Sequence, residues 1–397
     1  MEKVTIVIPT YWGRAGERLV GDEKIVFDHP TPLDESGTLG RLLDSLSVLN
    51  GIERCKVAII TVPNNPEITG EVEQKIAGII SSYLSRYDIV CISNSKLEIL
   101  KEKLDRQGLS SDSLELLNLE NYASVRNICS LAGILNRSSY TVFIDDDEVF
   151  TDKEFLDKIN GYMGKDAGEC EIEALAGYYL QPDSYLLDES KVPGWRRPYW
   201  NNTRYMNEAF ERFISPLPRL KPAPFVFGGN MALSLKVLKK VPFDPHITRG
   251  EDIDFLINLR INGITLWLDR ELAIKHLPPV SHRPFWKTVR EDARRFLYER
   301  KKLLDHPQIT PEDFMPYPGI FLADDLEERI VRTNELLIEE YREKGDEEGI
   351  GECERTIAMA QNDPFKELDT KRWLIGLSLR WQRLTALAEG IGIPESQ

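Results

Sequence analysis

The chain has 397 residues, 42% of them hydrophobic and 29% charged, which exceeds one ordinary domain and is too apolar for global disorder. A formal net charge of −15 argues against a general nucleic-acid binder, which needs a basic footprint. It leaves open a nucleotide as a small ligand, because a locally positive site or a metal can balance phosphate charge.

Cys55, Cys91, Cys129, Cys170 and Cys353 are scattered, with no CxxC or Cys/His spacing. Neither a disulfide framework nor a zinc ribbon is expected. No apolar run approaches the ~18 residues that a membrane span requires. Residues 4–8 begin a strand with no leader-like segment before it, so the cytoplasm is the expected compartment.

Residues 4–10 (Val-Thr-Ile-Val-Ile-Pro-Thr) read as a buried first strand that Pro9 ends. Residues 12–36 form a long Gly- and Pro-containing loop, the kind that is often functional. Leu39, Leu42, Leu43, Leu46 and Leu49 have helical spacing before Gly51. Residues 56–62 predict a strand, 71–87 a helix, 89–92 a strand, and 97–104 and 123–135 helices. Residues 140–144 predict a strand that runs directly into Asp145-Asp146-Asp147-Glu148. This alternation predicts a mostly parallel sheet with helices on both faces. In such sheets ligands sit beyond the carboxyl ends of the strands, so the Pro9-Thr10-Tyr11 corner and the aspartate cluster are expected to share one cleft.

The second half is mixed. Residues 174–180 predict a strand, and 181–224 are irregular and rich in Pro, Trp, Tyr and Arg. Residues 225–230 predict a strand entering a Gly228-Gly229-Asn230 turn, with a short helix from Ser234. Gly250 opens a helix through Asn262, and residues 265–268 and 272–276 read as strands. From about Pro284 the pattern is helical, with a Pro-containing break at 307–318. No internal repeat or low-complexity segment is evident. The expected domains are 1–283, with a nucleotide-binding half 1–148 and an acceptor half 149–283, and a helical domain 284–397.

Three aspartates ending an apolar strand raise one another's pKa unless a cation is present. On extended chain, Asp145 and Asp147 point the same way and can share a divalent ion with oxygen ligands. The alternative is a solvated acidic turn or a helix cap. Glu251 and Asp252 stand at a helix start, where acids complement the dipole; one of them can instead serve as a general base. His276 ends a late strand, and a neutral imidazole there can complete a metal shell. Gly228-Gly229 lets backbone approach a ligand closely, or simply makes a turn.

Taken in order, Pro9-Thr10-Tyr11, Val125-Arg126-Asn127, Asp145-Asp146-Asp147, Gly228-Gly229-Asn230, Glu251-Asp252 and Lys275-His276 resemble the motif series of GT-A glycosyltransferases, closest to the family 2-like enzymes that use nucleotide sugars. The resemblance covers roughly residues 1–282. It implies a GT-A, Rossmann-like α/β domain with a helical C-terminal domain. It also implies a sugar transfer from a nucleoside-diphosphate sugar to a hydroxyl acceptor, with inversion. By this resemblance Asp145 and Asp147, with His276, hold Mn2+ or Mg2+. Pro9, Thr10, Tyr11, Arg126 and Asp146 lie by the nucleotide of a UDP- or GDP-sugar. Gly229 and Asn230 border donor and acceptor; Arg249, just before the acid pair, is a further candidate for that contact. Asp252 is the base, with Glu251 beside it to orient. The family's acidic turn after the second strand is replaced here by residues 61–66, Thr-Val-Pro-Asn-Asn-Pro, so the base is left undecided.

Trp195-Arg196-Arg197-Pro198-Tyr199-Trp200 suits a sugar face and an anion, so an anionic acceptor is one expectation; packing of the loop is the other. Residues 324–354 carry 13 acids against 4 bases and read as a solvated helical face. Residues 371–390 form a basic amphipathic stripe, which either packs on the parent domain or a second copy, or touches a membrane surface. The rival readings are a sugar-phosphate nucleotidyltransferase and a non-catalytic sugar-nucleotide scaffold. No nucleic-acid partner is expected.

Overall fold

A computed structural model describes residues 3–16, 27–168, 170–181, 183–279 and 283–392. It has ten strands: β1 Val4–Gly13, β2 Thr31–Pro32, β3 Cys55–Pro63, β4 Asp88–Ile92, β5 Tyr140–Phe143, β6 Glu148–Val149, β7 Ala174–Leu180, β8 Leu220–Pro222, β9 Met231–Ser234 and β10 Leu266–His276. They form one sheet in the order β4-β3-β1-β5-β9-β7-β10-β6, with β2 on β1 and β8 on β10. The pairs among β4, β3, β1 and β5 are all parallel, while β9 runs antiparallel to both β5 and β7. This is the expected α/β class, with the parallel half drawn from the first part of the chain.

Continuous apolar runs such as residues 57–60 suit strands covered on both faces. Alternate residues take opposite sides, as a strand requires. Ile6, Ile8, Val57 and Ile59 pack with Leu39, Leu42, Val72 and Ile76 on one face. Val7, Ala58 and Ile60 pack with Leu97, Leu104, Ile128 and Leu131 on the other. That second core runs without a break into Phe296, Leu297, Leu377 and Trp381. The helices after residue 284 are therefore built onto the sheet domain's own core. Lys302, wholly buried on the helix Phe285–Asp305, reaches Asp254 Oδ1 at 2.6 Å and Asp244 Oδ2 at 2.9 Å. The helix Thr370–Ile391 buries Leu377, Trp381, Leu384 and Ala388 against the parent domain and leaves Ile375 and Leu379 exposed. Among the described residues, no helix is long and apolar enough to cross a membrane.

Three expectations are corrected. β1 does not end at Pro9 but continues to Gly13. Val7 O accepts from Ile144 N, so Pro9, two residues on, faces the side where β5 has already ended, and its missing N–H costs no ladder bond. The strand predicted at 225–230 forms after the glycine turn instead, as β9. Phe225 and Phe227 pack with Phe210 in an aromatic cluster, with ring centroids 5.1–5.7 Å apart. Residues 265–268 and 272–276 belong to one strand, β10, with a register shift between Leu268 and Ala273.

Candidate functional site

The carboxyl ends of β1 and β5 open into a cleft of about 520 Å³. Its walls come from the acidic turn after β5, the start of the helix Tyr122–Leu135, the segment 225–228, the start of the helix Glu251–Ile261, the end of β10, and the helix Phe285–Asp305. The two expected strand ends do meet here. Thr10 Oγ1 donates to Asp146 Oδ2 at 2.6 Å, and Trp12 Nε1 donates to Thr10 Oγ1 at 2.9 Å. Tyr11 lines the cleft, whereas Thr10 is fully buried behind it. Pro9 is an interior strand residue.

Asp145 to Asp147 do not run on as extended chain. Glu148 N donates to Asp145 O at 3.1 Å, closing a turn, so the alternation that would align Asp145 with Asp147 does not apply. Each aspartate meets different partners. Asp145 Oδ1 lies 2.8 Å from Arg126 Nη2. Asp147 Oδ2 lies 3.4 Å from Nε2 of both His29 and His276. Tyr179 stacks on the His276 ring at 4.5 Å, and Gln181 Nε2 lies 3.3 Å from its Nδ1. Burial favours the neutral acid, yet contacts from His276 and His29 hold the Asp147 carboxyl well below its usual range. Burial, reinforced by Asp147, pushes Asp146 up to about 7. Burial, with Asp145 beside it, also raises Glu148 well above the usual glutamate range.

His29 comes from the long loop after β1 and was not anticipated. Its neighbourhood fixes it there: β2 pairs with Trp12–Gly13, and Asp28 is held by Arg249 at 3.0 Å and by Arg283. A histidine in a loop too long to be mere connection, in a chain with five histidines, was the available clue.

Arg126 is buried and joins the two acidic groups of the cleft. Its Nε donates to Glu251 Oε1 at 3.0 Å, and its Nη1 has no hydrogen-bond partner among the described residues. Burial opposes its charge, but Asp145 and Glu251 raise its pKa well above normal. Glu251 is itself pushed up to about 7 by burial, against the pull of Arg126. Asp252 faces the cleft from the same helix start. Gly228 N donates to Oδ2 at 3.2 Å and Ile253 N donates to Oδ1 at 2.8 Å. Burial raises its pKa above the usual aspartate value, with Arg295 opposing.

Several expected ligand contacts turn out to be framework. Asn230 is buried; its Nδ2 donates to Tyr178 O and Leu272 O, both at 3.1 Å, and clamps β7 to β10. Gly229 N donates to Tyr179 Oη at 2.8 Å, and a Cβ there would overlap Glu148 Oε1, so the glycine admits the acidic turn. Trp195 packs against Phe285 at 5.6 Å in a separate core with Trp286 and Leu337, away from the cleft. Its neighbour Arg196 lines the cleft instead. Arg249 lines the cleft but is committed to Asp28 and, at 3.0 Å, to Asp292. Asn127 clamps Phe243 through both backbone groups at 2.8 and 2.9 Å.

His29, Asp147 and His276 supply the donor types that a divalent ion takes. As the chain stands, the imidazoles contact the carboxylate itself. Among the described residues, no group of three or more His, Cys, Asp or Glu is spaced to hold a metal ion. The chemistry of the donors fits; a preformed cage is absent among those residues.

No family model matches the chain, and no curated protein does. Among solved structures, it is similar to a mannosyltransferase from Pyrobaculum calidifontis in complex with GDP-Man and Mn2+, at 11% identity over 97% of this chain and 86% of that one, with a TM-score of 0.47. It is similar to GalNAc-T7 with UDP, GalNAc and Mn2+ at 10% identity, over 94% of this chain and 58% of the other, with a TM-score of 0.43. Mouse xyloside xylosyltransferase 1 in its apo form matches at 13% identity, over 65% and 74%, with a TM-score of 0.32. These neighbours are glycosyltransferases. At such identities and scores the roles of individual residues rest on the cleft alone.

Proposed function

We propose that this chain is a glycosyltransferase that moves a sugar from a nucleoside-diphosphate sugar to a hydroxyl acceptor, with inversion and with Asp252 as the base. The observation that carries this reading is the division of one cleft. The acidic turn Asp145–Asp147 with two imidazoles stands at one end, and Asp252 at a helix start stands at another, bridged by Arg126 and Glu251.

The chain's own residues divide the work. Asp252 is the carboxylate left to accept a proton, since Glu251 is occupied by Arg126. Two backbone N–H groups fix its orientation, and a raised pKa makes it a stronger base. The acceptor oxygen bonds to the anomeric carbon as that carbon's bond to the diphosphate oxygen breaks. The acceptor's proton passes to Asp252, and the nucleoside diphosphate leaves with the electron pair. Arg126 offers its unpartnered Nη1 to anionic oxygens. Tyr11, against Phe27 at 4.6 Å and Tyr122 at 5.3 Å, gives that region an aromatic wall. A divalent ion, Mn2+ or Mg2+, would be held by Asp147 and His276 with His29, and would stabilise charge on the departing diphosphate.

The test is calorimetric titration of the full chain with UDP, GDP and their sugar conjugates, in Mn2+ and in EDTA. One nucleotide diphosphate is expected to bind, more tightly with the metal. Binding of neither nucleotide overturns the reading.

A further inference from the structure

Among the described residues, four arginines line the cleft: Arg126, Arg196, Arg249 and Arg295. Three are neutralised by carboxylates. Arg126 has Asp145 and Glu251, Arg249 has Asp28 and Asp292, and Arg295 has Asp292 and Glu299. Arg196 has no carboxylate within ion-pair distance among the described residues. Its Nε donates to Trp200 O at 3.1 Å, which orients the guanidinium. No hydrogen bond from its two terminal nitrogens is found among those residues. Asp292, the carboxylate whose charge reaches Arg196, is already engaged by other donors. It accepts from Arg249 at 3.0 Å and Arg295 at 3.3 Å through Oδ1, and from Asn202 at 3.2 Å through Oδ2.

The half-buried guanidinium thus lacks the partner that burial demands, and burial lowers its pKa accordingly. The surroundings favour negative charge. The helix Asn202–Phe213 begins beside it and presents Asn202 and Thr203 to the same wall, and a helix N-terminus attracts anions. A planar fork with free terminal N–H groups matches phosphate or carboxylate oxygens. The acidic end of the cleft, by contrast, disfavours any anion that arrives without its own cation.

We infer that Arg196 is the acceptor-recognition residue of the cleft and binds an anionic group, phosphate or carboxylate, carried by the acceptor. Only the word acceptor rests on the transferase reading; the anion site itself does not. The pairing sets specificity by charge. A neutral acceptor would leave Arg196 desolvated and unpaired, whereas an anionic one satisfies it.

The test uses the full chain and a matched series: glycerol, glycerate, glycerol 3-phosphate and inorganic phosphate. Each is titrated calorimetrically, alone and with saturating UDP or GDP plus Mn2+. Saturable binding of glycerate or of glycerol 3-phosphate, with none of glycerol, is expected, and which of the two binds tells carboxylate from phosphate. Arg196→Ala should weaken that binding by about tenfold or more, the scale of a charged hydrogen bond. Arg196→Lys should retain most of it, and both variants should bind nucleotide as the parent chain does. The inference is overturned if neither anion binds, if Arg196→Ala binds as the parent does, or if the Ala and Lys variants lose affinity equally. Arg196-dependent anion binding without any nucleotide binding would keep the anion site and remove the transferase reading.

Discussion

Arg126 Nε donates to Glu251 Oε1 at 3.0 Å, and the two residues are 125 positions apart in sequence. This ion pair ties the helix Tyr122–Leu135 to the helix Glu251–Ile261 and is almost fully excluded from water. It separates the roles of two adjacent acids. Glu251 holds Arg126, while Asp252 faces the open cleft with only backbone donors on its oxygens among the described residues.

The adjacent acids should therefore fail differently. Asp252→Asn is expected to keep nucleotide binding and lose turnover by about 10²–10⁴-fold, the usual contribution of a general base. Glu251→Ala leaves a buried guanidinium short of one partner and should cost about 3 kcal/mol of stability. Urea denaturation and single-turnover assays on the two variants separate these outcomes. An Asp252→Asn enzyme with normal turnover would remove the base assignment.

His29 and His276 approach the same oxygen of Asp147 from different parts of the chain. If they cooperate on a divalent ion, His29→Ala should weaken Mn2+ binding by about tenfold, the scale found when a metal site loses a supporting group. Asp147→Ala should abolish it. Mn2+ titration followed by electron paramagnetic resonance of the free aqueous ion reads this without turnover. Unchanged Mn2+ affinity in His29→Ala would confine that histidine to an ion pair with Asp147.

The sequence showed most of the parallel half of the fold, because β1, β3, β4 and β5 are short apolar runs separated by helices of clear spacing. It also located the cleft, since Thr10 and Asp146 lie at strand ends that a parallel sheet must bring together. What it missed depends on long-range packing. Asn230 and Trp195 have residue types that suit a sugar site, yet each is claimed by the core, and nothing local distinguishes a clamp from a ligand. Lys302, Glu299 and Arg295 look like an exposed charged face because periodicity cannot reveal that a second surface covers it. His29 depended on where a long loop returns, and no local pattern encodes that.

Glu299 provides a pH test. It is fully buried, its Oε2 has no hydrogen-bond partner among the described residues, and burial pushes it up to about 8 despite Arg295 at 3.5 Å. A carboxyl raised in the folded state binds more protons there than in the unfolded chain. Its contribution is fully present below the unfolded value of roughly 4.3 and is lost as pH rises toward the folded value. Stability should thus fall between about pH 5 and 8, by up to ~1.4 kcal/mol per pH unit from this group. Glu299→Gln should flatten that slope, measured by urea denaturation at a series of pH values. An identical slope in the variant would show that Glu299 does not titrate in this window.

Trp195 and Arg196 are neighbours with opposite fates, and the contrast gives a final prediction. Trp195 is 6% exposed and packs with Phe285, Trp286 and Leu337, joining the turn at residues 194–196 to the helices beyond residue 284. Trp195→Ala removes a large buried ring, and such truncations cost about 3–5 kcal/mol. The expected result is a lower denaturation midpoint with nucleotide affinity unchanged at temperatures where the variant stays folded. Replacement by Phe should recover part of the stability, since the edge-on contact with Phe285 needs an aromatic ring but not the indole N–H, which has no hydrogen-bond partner among the described residues. A Trp195→Ala variant of normal stability with weakened sugar-nucleotide binding would return this residue to the ligand site.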